Sequence, residues 1–444
     1  MNKDSKDHLM KFIPIYGFLL SFAVFGVLIK NILASAMAGW LVVLYMFCFI
    51  AGLLTKALSE LTGECLLNTA IVFFIIFCGG VYYELVTFIY LSIIVVAYSL
   101  GLYLRWWIMG SYVLISSDMA VDYFKELLLG SYLILYVTNI IFEGGSSFLS
   151  MIWCMSLLGI GLYKCNQTNP VQLHEIHINK LTIKDIHKKV FYIRAVMIFL
   201  VFITAGISYT IIFKHYEAFQ GLNRYYNTLP FIVTLLTINR IFKVKNHDQL
   251  CSYGVGFLGI AFVFGFSRLN VWTFLLSQTA LQIGWALMDL YVWVIGLSLG
   301  RKNNQVRVFI VMIALFITGT LTGSVLGLLV SSHLTDTSLG MINIITYMPL
   351  FIGVIFIGQL KPLYTQEERE RQAKHNRLNQ LTEREKEVMT YFLENKKNIE
   401  VCQLMFISEN TLKTHSRHLY HKLEVKNKSQ LIATYKALID ENHP

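Results

Sequence analysis

Lys413, Thr414 and Arg417 stand close together in the run Ile407-Ser-Glu-Asn-Thr-Leu-Lys-Thr-His415 and its continuation to Tyr420. On a helix beginning at Glu409, a period of 3.6 residues puts these three on the face opposite Leu412 and Leu419. An ammonium and a guanidinium there can donate to guanine acceptors, and the threonine can meet a thymine methyl. Each of the three, taken alone, is equally compatible with a solvated helix face. A second set lies far upstream. Gln278, Gln282, Trp285, Asp289 and Trp293 recur at intervals of four, three, four and four, forming one polar and aromatic stripe. Such a surface can hold an amphipathic small ligand or a proton. For the glutamines the competing reading is amide glue between packed helices; for Asp289 both readings stay open.

The two sets belong to different kinds of sequence. Residues 1–360 are a succession of apolar blocks, in a chain that is 55% hydrophobic and 14% charged. A helical span of hydrocarbon needs ~20 mostly apolar residues. Twelve blocks qualify: about 12–30, 36–55, 65–82, 85–104, 125–143, 147–163, 191–213, 228–242, 251–267, 272–299, 305–330 and 340–360. Strands of alternating polarity are absent and lipid cannot satisfy an exposed backbone, so an all-α polytopic membrane bundle is expected. The first block runs on without an A-x-A-like cleavage site and is expected to remain as a span. Residues 105–124, with two Trp and two Asp, suggest an interfacial helix.

Orientation follows from the basic residues. With the N-terminus in the cytoplasm, eighteen Lys/Arg of the first 360 residues fall on the inner side and four on the outer: Lys30, Lys214, Arg224 and Arg268. Twelve spans then return the C-terminus to the cytoplasm. The largest inner loop, Lys164 to Lys189, divides the spans six and six. That layout resembles the major facilitator architecture, two six-helix halves around a central cavity. The stretch Gly52-Leu-Leu-Thr-Lys-Ala-Leu-Ser-Glu60 departs from the glycine-led, aspartate- and arginine-rich loop signature of that family.

From Lys361 the text turns charged. Thr382 and Glu385 make a capping box ahead of Val388, Met389 and Phe392, and Asn395 suits the left-handed position after that helix. A short helix from about Ile399 to Met405, a tight turn at Phe406–Ile407 and a longer helix capped by Ser408 make a helix-turn-helix. A last helix spans about Lys428 to Asp440. The tail from Leu378 has ten basic and nine acidic residues, so the net charge of +10 is no nucleic-acid signal by itself.

Leu381-Thr-Glu-Arg-Glu385, Glu387-Val388, Glu400-Val-Cys402, Ile407-Ser408, Thr411-Leu-Lys-Thr-His415, Tyr420 and Lys422-Leu423 with Val425 resemble the LuxR-type DNA-binding domain. Asn395 and Glu424 replace glycines of that family, Cys402 an alanine and Lys428 an arginine. The resemblance implies that Lys413, Thr414 and Arg417 contact bases in the major groove. It implies that Ser408, Thr411, His415, His418 and Lys428 contact phosphates; His415 has the alternative of packing the turn. It further implies a homodimer on double-stranded DNA. The stripe Leu431, Ile432, Tyr435, Leu438 and Ile439 either serves that dimer or packs on the domain's own core.

The whole chain is similar to membrane-anchored LuxR-family regulators with twelve-span, facilitator-like sensor regions. Three segments are expected: 1–360, a transmembrane sensor-like domain in contact with membrane lipid; 361–377, a charged linker, helical from Thr365, that transmits motion; and 378–444, a four-helix DNA-binding domain. The expected role is a one-component transcription regulator of the bacterial inner membrane, answering to an unknown small-molecule ligand. The alternative is a secondary transporter with a regulatory DNA-binding tail. No phosphate-binding loop, metal quartet or Ser/His/Asp set stands out, so neither enzyme activity nor a cofactor or metal is expected. The seven scattered cysteines, most within apolar blocks, suit buried inert thiols.

Overall fold

The computed structural model describes residues 3–24, 27–33, 37–55, 62–116, 118–142, 145–167, 185–208, 219–241, 247–264, 270–302, 305–331, 343–355, 374, 376–378 and 380–440. Among these, every regular element is helical. The chain divides into two compact units, Met1–Gly358 and Gln359–Pro444.

In the first unit, α1 (Lys3–Leu19) passes through a π-helical turn at Leu20–Val24 and continues as α2 (Val27–Ile32). Then come α3 (Met37–Leu54), α4 (Gly63–Tyr82), α5 (Val86–Leu114), α6 (Ala120–Phe142) and α7 (Ser147–Asn166). The second half holds α8 (Asp185–Ile207), α9 (Gln220–Tyr226), α10 (Leu229–Ile241), α11 (His247–Phe264), α12 (Val271–Lys302), α13 (Val306–Ser331) and α14 (Asn343–Ile355). Among the described residues, seven helices are long and apolar enough to cross a membrane, and Gly39–Leu54 and Asn343–Ile355 are shorter apolar helices. Each expected span overlaps described helix, though not always one unbroken helix, and the ends of several, 209–213 and 356–360 among them, lie outside the described residues. Val72, Ile75, Ile152, Leu236 and Val263 are exposed on the outside of the bundle, as apolar side chains facing lipid would be.

Local chemistry sets several boundaries. Thr62 caps α4 by accepting from the Cys65 amide, and Ser146 caps α7 by accepting from Leu149. Between α4 and α5, Glu84 takes a left-handed φ of 57°, and the Leu85 amide closes back on the Gly80 carbonyl at 2.8 Å.

The interfacial helix expected at 105–124 is not there. α5 continues unbroken to Leu114 and a new helix starts at Ala120. Trp107 is fully buried, stacked 4.3 Å from Phe12 and 5.4 Å from His8, so its ring has a protein core and no use for a headgroup interface. Arg105 is buried as well, its guanidinium reaching the Leu53 carbonyl. The eighth expected span, 228–242, falls on α10, and the short α9 precedes it, joined at Asn227–Thr228.

Packing within each half is tightest along a glycine seam. A Cβ on Gly52 or Gly101 would collide with the backbone of the facing helix, at the Tyr98 and Phe49 carbonyls respectively; α3 and α5 therefore touch backbone to backbone. In the other half Gly206 of α8 and Gly323 of α13 do the same, against the Thr320 and Ile203 carbonyls. The halves meet where α3 packs on α13 and α6 packs on α10. Arg301 reaches across to the Tyr112 carbonyl at 2.9 Å, and Arg224 to the Ile140 carbonyl. The loop residues 56–61, most of the middle loop and nearly all of 361–377, including the expected linker helix, lie outside the described residues.

The second unit is a small bundle: α15 (Glu383–Leu393), α16 (Asn398–Met405), α17 (Glu409–Lys422) and α18 (Lys428–Asp440). Its core is Leu381, Val388, Met389, Phe392, Val401, Met405, Leu412, Leu419, Leu423, Val425, Leu431 and Tyr435.

Candidate nucleic-acid interface and membrane cavity

In the tail, α15 starts at the expected capping box. The Thr382 amide donates to the Glu385 carboxylate at 2.8 Å, and the Glu385 amide donates to the Thr382 hydroxyl. Glu385 has a further role that the sequence did not announce. It is 3% exposed and accepts from the Lys422 ammonium at 2.7 Å, tying the start of α15 to the end of α17. Burial pushes the carboxyl up, but the Lys422 and Thr382 hydrogen bonds outweigh it, and the group ends below its ordinary value. Lys422 also donates to the Gln380 carbonyl.

α17 presents the face expected for contact. Ser408 caps it by accepting from the Thr411 amide, and Leu412 and Leu419 point into the core. Lys413, Thr414 and Arg417 are exposed, with Thr414 donating to the Asn410 carbonyl at 3.1 Å. Of the expected phosphate contacts, Ser408, Thr411 and His418 are exposed and His415 is half-buried. The Ser408 and Thr411 hydroxyls lie 2.8 Å apart. Lys428 is placed differently. Its ammonium donates to the Lys396 carbonyl and sits 5.1 Å from the centre of the Phe392 ring, so it buttresses the domain.

Turn geometry matches the expectation at Asn395, which has φ 60°. Phe406 in the helix-turn-helix turn (φ 54°) and Glu424 after α17 (φ 54°) are also left-handed without glycine. Each costs about 1–2 kcal/mol of backbone strain. Phe406 is 95% exposed, an aromatic side chain just ahead of α17 that no sequence pattern singled out. In α18, Leu431 and Tyr435 pack inward, Tyr435 donating to the Leu423 carbonyl. Ile432 stays partly exposed, and the side chains of Leu438 and Ile439 lie outside the described residues.

In the membrane unit the polar stripe of α12 separates into two parts. Gln282 donates to Asn227 at 2.7 Å and belongs to a helix seam, while Gln278 is fully buried beside it in sequence and lines no described cavity. Trp285, Asp289 and Trp293 instead line a cavity of about 70 Å³ whose other walls come from both halves. Tyr16, Tyr45 and Tyr132 are contributed by the first half, Phe202 and Phe316 by the second. The Tyr132 hydroxyl donates to Asp289 at 2.8 Å, and its ring lies on Phe231 with centroids 3.6 Å apart. Trp293 is inserted among first-half rings, 5.8 Å from Tyr16 and 5.9 Å from Trp107, both edge-on. Tyr132 escaped sequence reasoning because nothing local distinguishes it among 24 tyrosines. The only available signal was that a carboxylate at membrane depth needs a donor from somewhere.

These two geometries agree with the comparisons. Residues 379–435 match the family of bacterial regulatory proteins, luxR family. A 51-residue stretch is 49% identical to the uncharacterized transcriptional regulatory protein YhcZ of Bacillus subtilis, covering 12% of this chain and 24% of that protein. The chain spans about a quarter of the length of the curated relatives it matches. The membrane unit is similar in fold to the human organic anion transporter MFSD10, with TM-score 0.61 and 12% identity over 80% of this chain and 100% of that one. It is also similar to the Escherichia coli fucose:proton symporter FucP, with TM-score 0.54 and 13% identity over 79% of this chain and 96% of that one. The chain is therefore a multi-pass membrane protein of major facilitator fold with a LuxR-type helix-turn-helix tail. Identities this low carry the fold of the membrane unit and nothing of its cargo.

Proposed function

We propose that this chain is a one-component transcription regulator of the bacterial inner membrane, in which a signal met by the membrane unit alters sequence-specific DNA binding by the tail. The observation that carries this reading is the covalent union: a LuxR-type helix-turn-helix and a facilitator-fold bundle share one polypeptide. The basic-residue bias supports a cytoplasmic tail. Lys413, Thr414 and Arg417, exposed on the free face of α17, are the proposed base contacts; Ser408, Thr411, His415 and His418 are the proposed phosphate contacts. Lys428 reaches phosphate only by leaving its carbonyl partner. Binding is proposed to be as a homodimer on paired half-sites.

The proposed signal site is the cavity around Asp289 and Trp285. It takes walls from both halves, so an occupant that differs in affinity between two arrangements of the halves shifts their balance, with coupling typically of ~1–3 kcal/mol. Gln282 supports the helix seam nearby, and the buried Gln278 amide meets no partner among the described residues. The segment 361–377 is proposed to carry the change to the tail.

Chromatin immunoprecipitation of the full-length protein tests the reading. Discrete genomic sites, lost on replacing Arg417 with Ala, are the expected outcome; uniform background, or a C-terminus labelled from outside the cell, counts against it. The facilitator fold favours a second reading, a transporter whose tail adjusts its own expression. Counterflow of labelled solute in proteoliposomes separates the two.

A further inference from the structure

The cavity at the meeting of the two halves has walls that select by charge. They carry one carboxylate, Asp289, and no lysine, arginine or histidine among the described residues. Tyr16, Tyr45, Trp285, Trp293, Phe202 and Phe316 supply aromatic rings to the same walls. Neighbouring rings brace them: Phe124 stacks on Trp293 at 5.5 Å, and Phe316 meets Phe202 edge-on at 4.4 Å. Aromatic faces are negative, so several faces and a carboxylate in a water-poor space attract a cation and repel an anion. Three donors on these wall residues are unanswered. The Tyr45 hydroxyl and the indole N–H groups of Trp285 and Trp293, 1%, 3% and 1% exposed, meet no partner among the described residues. An oxygen on an occupant would satisfy such a donor, whereas bare hydrocarbon would leave it desolvated and unpaired. The volume of about 70 Å³ suits a small ammonium head, and Met46 in the wall is an unbranched side chain that can yield to a larger body.

We propose that the occupant of this cavity is a small organic cation, an amine or quaternary ammonium carrying an oxygen acceptor, held between Asp289 and the surrounding aromatic faces. The proposal rests on the reading of the membrane unit as the sensor and names the chemical class of its signal. Protonation of Asp289 alone is the rival; it uses neither the rings nor the indole donors.

The test uses the full-length chain in nanodiscs of phosphatidylethanolamine and phosphatidylglycerol, free of choline lipids. Choline and its uncharged isostere 3,3-dimethylbutan-1-ol are titrated, with tryptophan fluorescence and calorimetric heat as readouts. Benzyldimethyl(2-hydroxyethyl)ammonium and its uncharged isostere 3,3-dimethyl-4-phenylbutan-1-ol repeat the contrast with a larger body. In at least one pair the cation binds tighter by about tenfold or more. Asp289→Asn abolishes that preference, and Trp293→Phe weakens cation binding severalfold. Absence of cation binding, equal affinity within both pairs, or a preference that survives Asp289→Asn overturns the proposal. The isostere contrast is read on the unaltered chain, so a variant that fails to fold does not obscure the result. Binding of genomic fragments in the same nanodiscs keeps the two readings apart. Specific DNA binding without cation preference overturns the ligand class alone, whereas cation preference without specific DNA binding overturns the regulator and leaves the site.

Discussion

Glu385 in the tail and Asp289 in the membrane unit are both withdrawn from solvent, at 3% and 5% exposure, and they are held by opposite means. Glu385 accepts from an ammonium and from the backbone amide of Thr382, both at Oε2, so its charge is answered by the domain itself. Asp289 has a tyrosine hydroxyl and, around it, aromatic rings and aliphatic side chains. A buried charge whose partners are all supplied by the fold stabilises one arrangement. A buried acid with a single neutral donor beside open volume keeps capacity for something the fold does not contain. Glu385 is on this ground a structural carboxylate, whereas Asp289 borders a cavity.

Replacing Glu385 with Ala should have the largest effect, because it removes the Glu385 half of the capping box and breaks the pair with Lys422 together, leaving that ammonium only the Gln380 carbonyl. About 2–4 kcal/mol of tail stability is expected to be lost, seen as faster amide hydrogen exchange through α15 and α17 of the full chain. The pH dependence follows from the same group. Its folded value lies below the unfolded reference of 4.5, so the contribution is fully present above that pH and is lost as the pH falls through the folded value. Exchange protection of α15 should therefore collapse only in acid, and Glu385→Gln should flatten that acid limb.

Next in size, Arg417→Ala or Lys413→Ala should cost about 1–3 kcal/mol of operator affinity and relax preference at a single base position, measured by gel shift at fixed salt. His418→Ala should instead weaken all sequences alike. Tyr132→Phe should remove about 0.5–1.5 kcal/mol from the membrane unit, with a changed reporter response and unchanged DNA affinity of the tail. If it behaves like Glu385→Ala, the contrast between the two carboxylates fails. The smallest effect is expected at Asp122, whose exposed pair with Lys125 spans one helical turn. Asp122→Asn should shift stability by less than about 0.5 kcal/mol.

The tail was legible almost residue by residue, because its signals are local. Thr382 with Glu385, Ser408 ahead of Thr411, and Leu412 with Leu419 each announce a cap or a face within a few positions. What escaped there was non-local or strained: the Glu385–Lys422 pair joins residues 37 apart, and Phe406 sits in a conformation its type disfavours. In the membrane unit, apolar length disclosed where the helices fall. It was silent on which side chains meet. Tyr132 and Asp289 lie 157 positions apart, and Arg194 finds Asp248, 54 positions away, at 3.0 Å. The stripe at α12 was correctly periodic, yet periodicity could not tell that Gln282 faces a seam and Asp289 a cavity. The misread at 105–124 has the same origin: Trp and Arg suggest a water–lipid boundary only until a protein core is known to surround them.

The glycine seams at Gly52 with Gly101 and at Gly206 with Gly323 have a mechanical consequence. Backbones in mutual contact leave no slack for one helix to slide on the next, so each pair must travel as a stiff beam. Displacement is then confined to the joint between the beams, where Trp293 is lodged like a pin between the two sides. A bulky residue in either seam should spread its own beam and shift the cavity walls carried on it, Phe49 in one and Thr320 in the other, whereas trimming the pin should loosen the joint and spare the beams.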